Sequence, residues 1–405
     1  TILQTLRPPL DEGNIGKLYS VAMSPDGAYI ATGGWTFWDK GTSIYVFQRA
    51  TGHMVHHIAD MSNVIYELAW SPDGRYLAAG LGGKNGIRVF RSDNYALAGE
   101  DRDYGSLVYG LDFDRQGRLV ASSYDGSLRL YQVGPDSLQL LKKKTAPGGK
   151  RPVGVRFSPD GTKIVVGFYD APIVNLLYAD SLDFIAAPEA RGLRKDAGLP
   201  VVCWSADGST LFAGGTNRSD DGKFRVLRAW LQGGRGEYRD LPAADNTIQD
   251  IRPLAGGGVV FSAFDPAWGV FDASGQRTVF IPAAIADFRD SWKGFRLSRD
   301  GLSVRFGFEP WGKISARFNF AERRYEASTS DAGLLMPRLE AKGIDIKDWI
   351  SSTNPTLNGQ ELGLDNAERS RSLAIAPDEQ SFVLGSEWSL RRFDRVGREL
   401  WKKEV

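Results

Sequence analysis

Cysteine, histidine and methionine are scarce in this chain: of 405 residues, one is Cys, three are His and four are Met. A single cysteine excludes an internal disulfide framework. Cys203 sits in the apolar run Val201-Val202-Cys203-Trp204 with no histidine in its repeat, so it reads as a small buried hydrophobe rather than a nucleophile. The histidines cluster in Gly52-His53-Met54-Val55-His56-His57. In a strand His53 and His57 share a face and His56 points away. Two ligands without a nearby carboxylate or thiol do not make a zinc site, and the segment reads as a solvated outer strand. Excess charge is lacking too. Fifty Lys and Arg against 49 Asp and Glu leave a net charge of +1, no electrostatic footprint for nucleic acid. The short run Lys142-Lys143-Lys144 reads as a solvated strand end. No apolar stretch approaches the roughly 18 residues of a membrane span, and no secretory signal is visible. The expectation is a chain with no nucleic-acid or membrane partner, no cofactor and no metal, cytoplasmic by default. Its first residue is Thr, so a piece of a longer polypeptide is inferred.

What the chain has in abundance is one repeated phrase. An alternating apolar run ends in a Ser-Pro-Asp-Gly-type turn and a second apolar run follows. Clear copies are Val21-Ala22-Met23-Ser24-Pro25-Asp26-Gly27, Leu68-Ala69-Trp70-Ser71-Pro72-Asp73-Gly74 and Val155-Arg156-Phe157-Ser158-Pro159-Asp160-Gly161. The residue before each turn triplet serves as an anchor: Ser24, Ser71, Asp114, Ser158, Ser205, Leu254, Ser298 and Ala376. Their spacings are 47, 43, 44, 47, 49, 44 and 78 residues. All but the last fit the roughly 40–50 residues of a four-stranded propeller blade. Pro presets φ, Asp bonds nearby backbone and Gly accepts positive φ, so the turn has a physical basis. The flanking apolar residues recur at every second position, the strand period. The third copy shows a whole unit, with strands over 109–113, 119–123, 128–131 and 138–141 and a tight turn at Asp125-Gly126.

The fold class that follows is all-β: a β-propeller of eight four-stranded blades, alternatively of seven. A propeller lets a chain of this length grow as a ring of blades rather than split into separate cores. Residues 1–330 carry seven anchors and, at 1–9, a strand expected to close the ring against the last blade. Residues 331–369 break the pattern as an irregular insertion or crossover. Residues 370–405 supply a last blade or begin a further domain. Lettering strands a to d from the axis outward, two columns of strand a are expected in the core. One is Val21, Leu68, Leu111, Val155, Val202, Ile251, Phe295 and Leu373. The other is Met23, Trp70, Phe113, Phe157, Trp204, Pro253, Leu297 and Ile375.

Ser122-Ser123-Tyr124-Asp125-Gly126-Ser127-Leu128-Arg129-Leu130-Tyr131 stands where WD-repeat propellers have their b–c hairpin, and the chain resembles that family. No strand c ends in Trp-Asp, and no Gly-His pair precedes a strand a. The buried hydrogen-bond network of strict repeats is therefore expected to be absent. A narrower resemblance rests on residues 16–27 with Gly33-Gly34-Trp35-Thr36, and on 370–378 with 384–391. These segments look like the propeller portion of bacterial caspase-like (metacaspase-type) peptidases. In that family the propeller is joined to a cysteine-protease domain with a His–Cys dyad. This chain lacks such a domain, so no catalytic residue carries over. The resemblance implies a sensing, scaffolding or substrate-recruiting module for a protease in the same polypeptide.

Two sets of candidate site residues emerge. The b–c loops carry Trp35, Phe37 and Trp38, then Tyr169, Trp268, Trp311 and Trp388, each near a charged residue. Propeller topology brings these loops to one face, where aromatic anchors suit a protein or peptide partner. The simpler alternative is that the rings fold back onto neighbouring blades. On strand a, Arg156, Arg252 and Arg296 are candidates for an anion site at the channel; the alternative is inter-blade ion pairing with Asp112 and Asp250. Small-anion or peptide sensing, or a propeller hydrolase or lyase, would use that channel mouth. An enzyme would need a base poised near neutral pH, and no histidine is placed to serve.

Overall fold

The repeated turn closes on its own side chains. In the first copy the Ser24 hydroxyl donates to the Asp26 carboxylate (2.5 Å) and accepts the Tyr29 N–H (2.9 Å). Asp26 also accepts the Ala28 N–H, and Gly27 ends the turn at φ 70°. The same Ser-to-Asp bond recurs at Ser71 and Asp73, Ser158 and Asp160, Ser205 and Asp207, and Ser298 and Asp300. The serine hydroxyl and the N–H and hydroxyl of Ser209 hold the Asp207 carboxyl down to about 2. Each turn reverses the chain, so each copy builds an antiparallel meander.

The fold is taken from a computed structural model, which describes residues 6, 16–38, 41–219, 221–264, 267–282, 296–306, 316–322, 324–327, 333–365, 368–386 and 389–404. The chain divides after Pro282 into two compact units. The first unit holds six sheets. Their strands a are Lys17–Met23, Ile65–Trp70, Val108–Phe113, Pro152–Phe157, Val201–Trp204 and Ile248–Pro253. The last five sheets are four-stranded in the order a-b-c-d, and the first adds the short strand Phe37–Trp38. The third sheet has its strands at Val108–Phe113, Arg118–Ser123, Ser127–Gly134 and Ser137–Thr145, all four where the sequence places them. The strand expected over 1–9 lies outside the described residues, apart from Leu6.

Side-chain alternation sends each strand a's core column back onto the preceding sheet. Leu68 joins a cluster with Ala31, Ile44 and Val46 of the first sheet. Leu111 and Phe113 pack with Ala78 and Val89 of the second, and Val155 and Phe157 with Val120 and Leu130 of the third. Val202 and Trp204 meet Val165 and Leu176 of the fourth, and Ile251 meets Phe212 and Leu227 of the fifth. The inner strands also gather about one axis. Arg252 of the sixth sheet lies 4.0 Å from Glu67 of the second, and Arg156 of the fourth lies 3.5 Å from the same carboxylate oxygen. A linear stack would not bring second, fourth and sixth strands together; a radial arrangement of blades does.

Four residues expected in the core need correction. Val21 and Met23 occupy the core columns but are 64% and 58% exposed. Alternation points them away from the second sheet, toward a side on which no other sheet of the first unit lies. Pro253 and Leu297 are likewise exposed, Pro253 at the strand end beside the glycine-rich turn and Leu297 in a strand paired on its other edge with Leu334–Leu335. Phe295 lies outside the described residues.

The buried network expected to be absent is present in altered form. In the third sheet Asp125 accepts from Arg129 (2.8 Å) and from the N–H groups of Gly105 and Ser127. Arg129 also donates to the Asp103 carbonyl and lies 3.7 Å over the Tyr104 ring. Tyr104 and Tyr131 hydroxyls meet at 2.8 Å, and Tyr131 donates to Asp101. The equivalent strand-c arginine of the fifth sheet, Arg228, is paired with Asp240 and donates to the Arg191 carbonyl. Each arginine ties strand c to the connection entering its own sheet.

The second unit holds a five-stranded sheet, a three-stranded sheet and a four-stranded sheet. Within 331–369 the chain forms the three-stranded sheet of Ile346–Lys347, Thr356–Leu357 and Gln360–Glu361, where the sequence suggests an irregular insertion or crossover. Ile346, Leu357 and Leu362 pack on Leu373, Ile375, Phe382 and Phe393 of the last sheet. The insertion thus faces the core column that a preceding blade would otherwise cover.

Candidate functional site

Strand a begins with a register irregularity in several sheets, and in the first three the extra residue is tyrosine. The pairing shifts between Leu18 and Ser20, between Ile65 and Glu67, and between Val108 and Gly110, leaving Tyr19, Tyr66 and Tyr109 outside the ladder. A bulge of this kind re-aims a side chain out of the sheet's alternation. Close approach of inner strands reinforces it: a Cβ on Gly110 would sit 2.1 Å from the Val153 carbonyl oxygen.

The consequence is a row of rings across four blades. Tyr19 stacks on Tyr66 with centroids 5.3 Å apart, and Tyr66 meets Tyr109 edge-on at 4.9 Å. Tyr109 is 4.7 Å from Tyr124 in the b–c turn of the third sheet, and Tyr124 is 6.3 Å from Tyr169 in the b–c loop of the fourth. The ends of the row, Tyr19 and Tyr169, are 51% and 53% exposed, and the three middle rings are half-buried. Arg151 places its guanidinium 5.7 Å from the Tyr124 ring centroid. Burial and the neighbouring phenols push Tyr109 up to about 12, and burial likewise raises Tyr66 and Tyr124. The three hydroxyls remain protonated donors at ordinary pH.

Next to Tyr66 in the chain, Glu67 opens the charged lining of the inner strands. Glu67 faces both Arg156 and Arg252, and Arg252 also pairs with Asp250 at 2.8 Å. Asp112 accepts the N–H of Phe157 at 2.7 Å, and Arg156 donates to the carbonyls of Leu111 and Val155. Burial pushes the carboxyls of Glu67 and Asp112 up against the pull of both guanidinium groups. Cys203, 2% exposed, is a neighbour of this cluster, and burial pushes its thiol up to about 12.

The comparisons with known proteins agree with this geometry. Residues 4–47, 48–91 and 98–132 match the WD domain, G-beta repeat family. The second match takes in the outer strand of one sheet (Met54–Met61) and the three inner strands of the next. The fold is that of a β-propeller, and three segments of the chain match the WD repeat. A chain in the crystal structure of a mitotic checkpoint complex superposes on this propeller with a TM-score of 0.55 at 16% identity, covering 75% of this chain and 87% of that one. No curated protein matches the sequence. Because 1750 solved chains match, the propeller by itself selects no function. Among the described residues no helix is long and apolar enough to cross a membrane.

On this propeller the residues singled out from sequence fall in different places. Tyr169 ends the tyrosine row. Trp35 is half-buried at the end of strand b, where its carbonyl accepts the Gly16 N–H. Phe37 and Trp38 form the short strand paired with Thr42 and Gly41, and their side chains lie outside the described residues. Trp268 opens strand c of the sixth sheet and is 43% exposed. Trp311 and Trp388 lie outside the described residues. Arg156 and Arg252 share Glu67, whereas Arg296 belongs to the second unit. His57 bonds the Ser43 hydroxyl and stacks on Tyr45, and His56 stacks on Tyr95 at 4.3 Å, so neither is the freely solvated residue expected.

Sequence reasoning missed Tyr19, Tyr66, Tyr109 and Tyr124 as a set. A signal was present: tyrosine stands five residues before the anchors Ser24, Ser71 and Asp114. In an unbroken strand that position is another alternating side chain. Only the bulge makes it part of a row.

Proposed function

We propose that this chain is a non-catalytic interaction propeller that holds a protein or peptide on the face bearing the tyrosine row. The observation that carries the reading is the row itself: five rings from four blades, in van der Waals succession and exposed at both ends. Each tyrosine offers a large apolar area and a hydroxyl at a low cost in conformational entropy, as interface anchors do. Of the b–c loop residues, the first unit's Trp35 and Trp268 are included in the proposed surface. The solved chain of similar fold comes from a multiprotein complex, in line with this reading.

In its finer form, the propeller scaffolds, regulates or recruits substrate for a linked caspase-like cysteine protease. Support comes from the resemblance of residues 16–27 and 370–391 to propeller segments of that family. An anion site is less favoured, because Arg156 and Arg252 are each engaged with Glu67.

The test is affinity capture from the source cell, comparing the wild-type chain with a variant in which Tyr19, Tyr66, Tyr109 and Tyr169 are alanine. Specific proteins retained by the wild type should fall at least tenfold with the variant, measured by quantitative mass spectrometry. Identical captured sets would refute the interaction surface. Labelling of the wild-type partner set with a cysteine-protease activity probe, and its loss with the variant, tests the finer form.

A further inference from the structure

We infer that the tyrosine row cradles a polyproline II segment flanked by an acidic residue. This rests on the reading that the face binds a protein or peptide, and it names the class of ligand. The spacing is the first reason. Consecutive steps of 5.3 and 4.9 Å put alternate rings at most about 10 Å apart, and a polyproline II helix turns every ~9 Å. Alternate rings are thus no farther apart than about one such turn, the bound being about 11 Å for Tyr109 and Tyr169.

Ring orientation is the second reason. Tyr19 and Tyr66 are stacked nearly parallel at 24°, but the planes then turn by 63°, 53° and 49° at the next three contacts. The surface is a series of ridges and clefts. Pyrrolidine rings of a Pro-rich segment dock into aromatic-lined clefts of this kind. Hydrogen bonding is the third reason. A polyproline II backbone satisfies none of its own carbonyls, and the phenol hydroxyls along the row are donors that complement them.

Charge sets the flank. Arg151 is exposed beside Tyr124, while the backbone N–H groups of Lys150 and Arg151 hold the Asp170 carboxylate at 3.1 Å. One guanidinium next to an apolar row matches a single carboxylate on the ligand.

Fluorescence anisotropy with the whole chain tests the inference. The probes are labelled decaproline with a glutamate pair at one end, the same peptide with lysines, a Gly/Ser peptide carrying the glutamates, and oligothymidine. The glutamate-flanked proline peptide should bind saturably, at least fivefold tighter than the lysine version and tenfold tighter than the Gly/Ser peptide. Tyr66→Ala with Tyr109→Ala should weaken it at least tenfold. Tyr19→Ala with Tyr169→Ala changes only the exposed ends; it should weaken binding at least threefold with the thermal transition unmoved. Arg151→Glu should abolish the preference for the acidic flank. The inference is overturned if the acidic proline peptide does not bind, if the Gly/Ser peptide binds equally, or if oligothymidine binds more tightly. If it fails while partner capture still depends on the tyrosines, the interaction reading survives and the polyproline class is lost.

Discussion

Arg252 in the sixth sheet and Glu67 in the second approach to 4.0 Å across the inner strands, although 185 residues separate them in the chain. Arg156, from the fourth sheet, meets the same Glu67 oxygen at 3.5 Å. The radial arrangement of the first unit is expressed in these contacts. They also decide how its charges must be read. Three carboxylates, Glu67, Asp112 and Asp250, stand among two guanidinium groups, so the arginines of the lining are engaged by acidic neighbours while burial still raises Glu67 and Asp112.

A double-mutant cycle measures this convergence. Glu67→Gln and Arg156→Met, singly and together, should show a coupling of about 0.5–3 kcal/mol in chemical denaturation. Both side chains are at most 16% exposed, so screening by solvent is modest. Additive effects would mean that the two strands do not share an axis.

Acid should act on the second unit through Glu368. This carboxylate accepts from Arg391 at 2.5 and 3.0 Å and from the hydroxyls of Ser386 and Ser389, and it is fully buried. Burial alone would raise its pKa, but these donors hold it down to about 2. The folded value lies below the unfolded one of about 4.3. The stabilisation is therefore fully present above that unfolded value and is lost as pH falls toward about 2. Its full size is on the order of 3 kcal/mol. Thermal melts of the wild type should drop steeply across this window, and those of Glu368→Gln should be lower at neutral pH and flatter below pH 4. Parallel curves for the two proteins would discard the assignment.

Asp125 should be a structural residue of the third blade. Its removal leaves the Arg129 guanidinium, on a residue 1% exposed, with the Asp103 carbonyl and the Tyr104 ring but no carboxylate. Breaking such a buried pair from one side costs about 3–5 kcal/mol. Asp125→Ala should lower the urea midpoint far more than Asp136→Ala, whose carboxylate meets Arg91 while 75% exposed. Equal midpoints would show that the buried pair contributes little.

Much of the architecture was legible because the turn is chemically explicit. Ser, Asp and Gly at fixed offsets close the same hydrogen-bonded ring at Ser24, Ser71, Ser158, Ser205 and Ser298, and the alternation around them fixes strand identity. The row of tyrosines was hidden because a bulge changes where Tyr66 points without changing any residue near it. The Arg129 network was hidden for a different reason: the expected motif is absent, and an equivalent is assembled from Asp125 and Tyr104, which lie in two different connections. Trp35 illustrates the reverse case, an aromatic conspicuous in sequence that the fold leaves half-buried at the end of a strand.

The same column of strand a should give opposite responses at two positions. Leu111 is 1% exposed and packs against the second sheet, so Leu111→Ala removes buried methyl groups and leaves a cavity, at about 2–5 kcal/mol. Val21 holds the equivalent place in the first sheet but is 64% exposed, and Val21→Ala should change stability by no more than about 0.5 kcal/mol. Sequence periodicity makes these residues equivalent; what differs among the described residues of the first unit is that a preceding sheet packs on Leu111 and none packs on Val21. Denaturant unfolding of the two single variants reads the difference. A large loss from Val21→Ala would mean that its face is covered in solution, and the partner covering it would then be the next thing to identify.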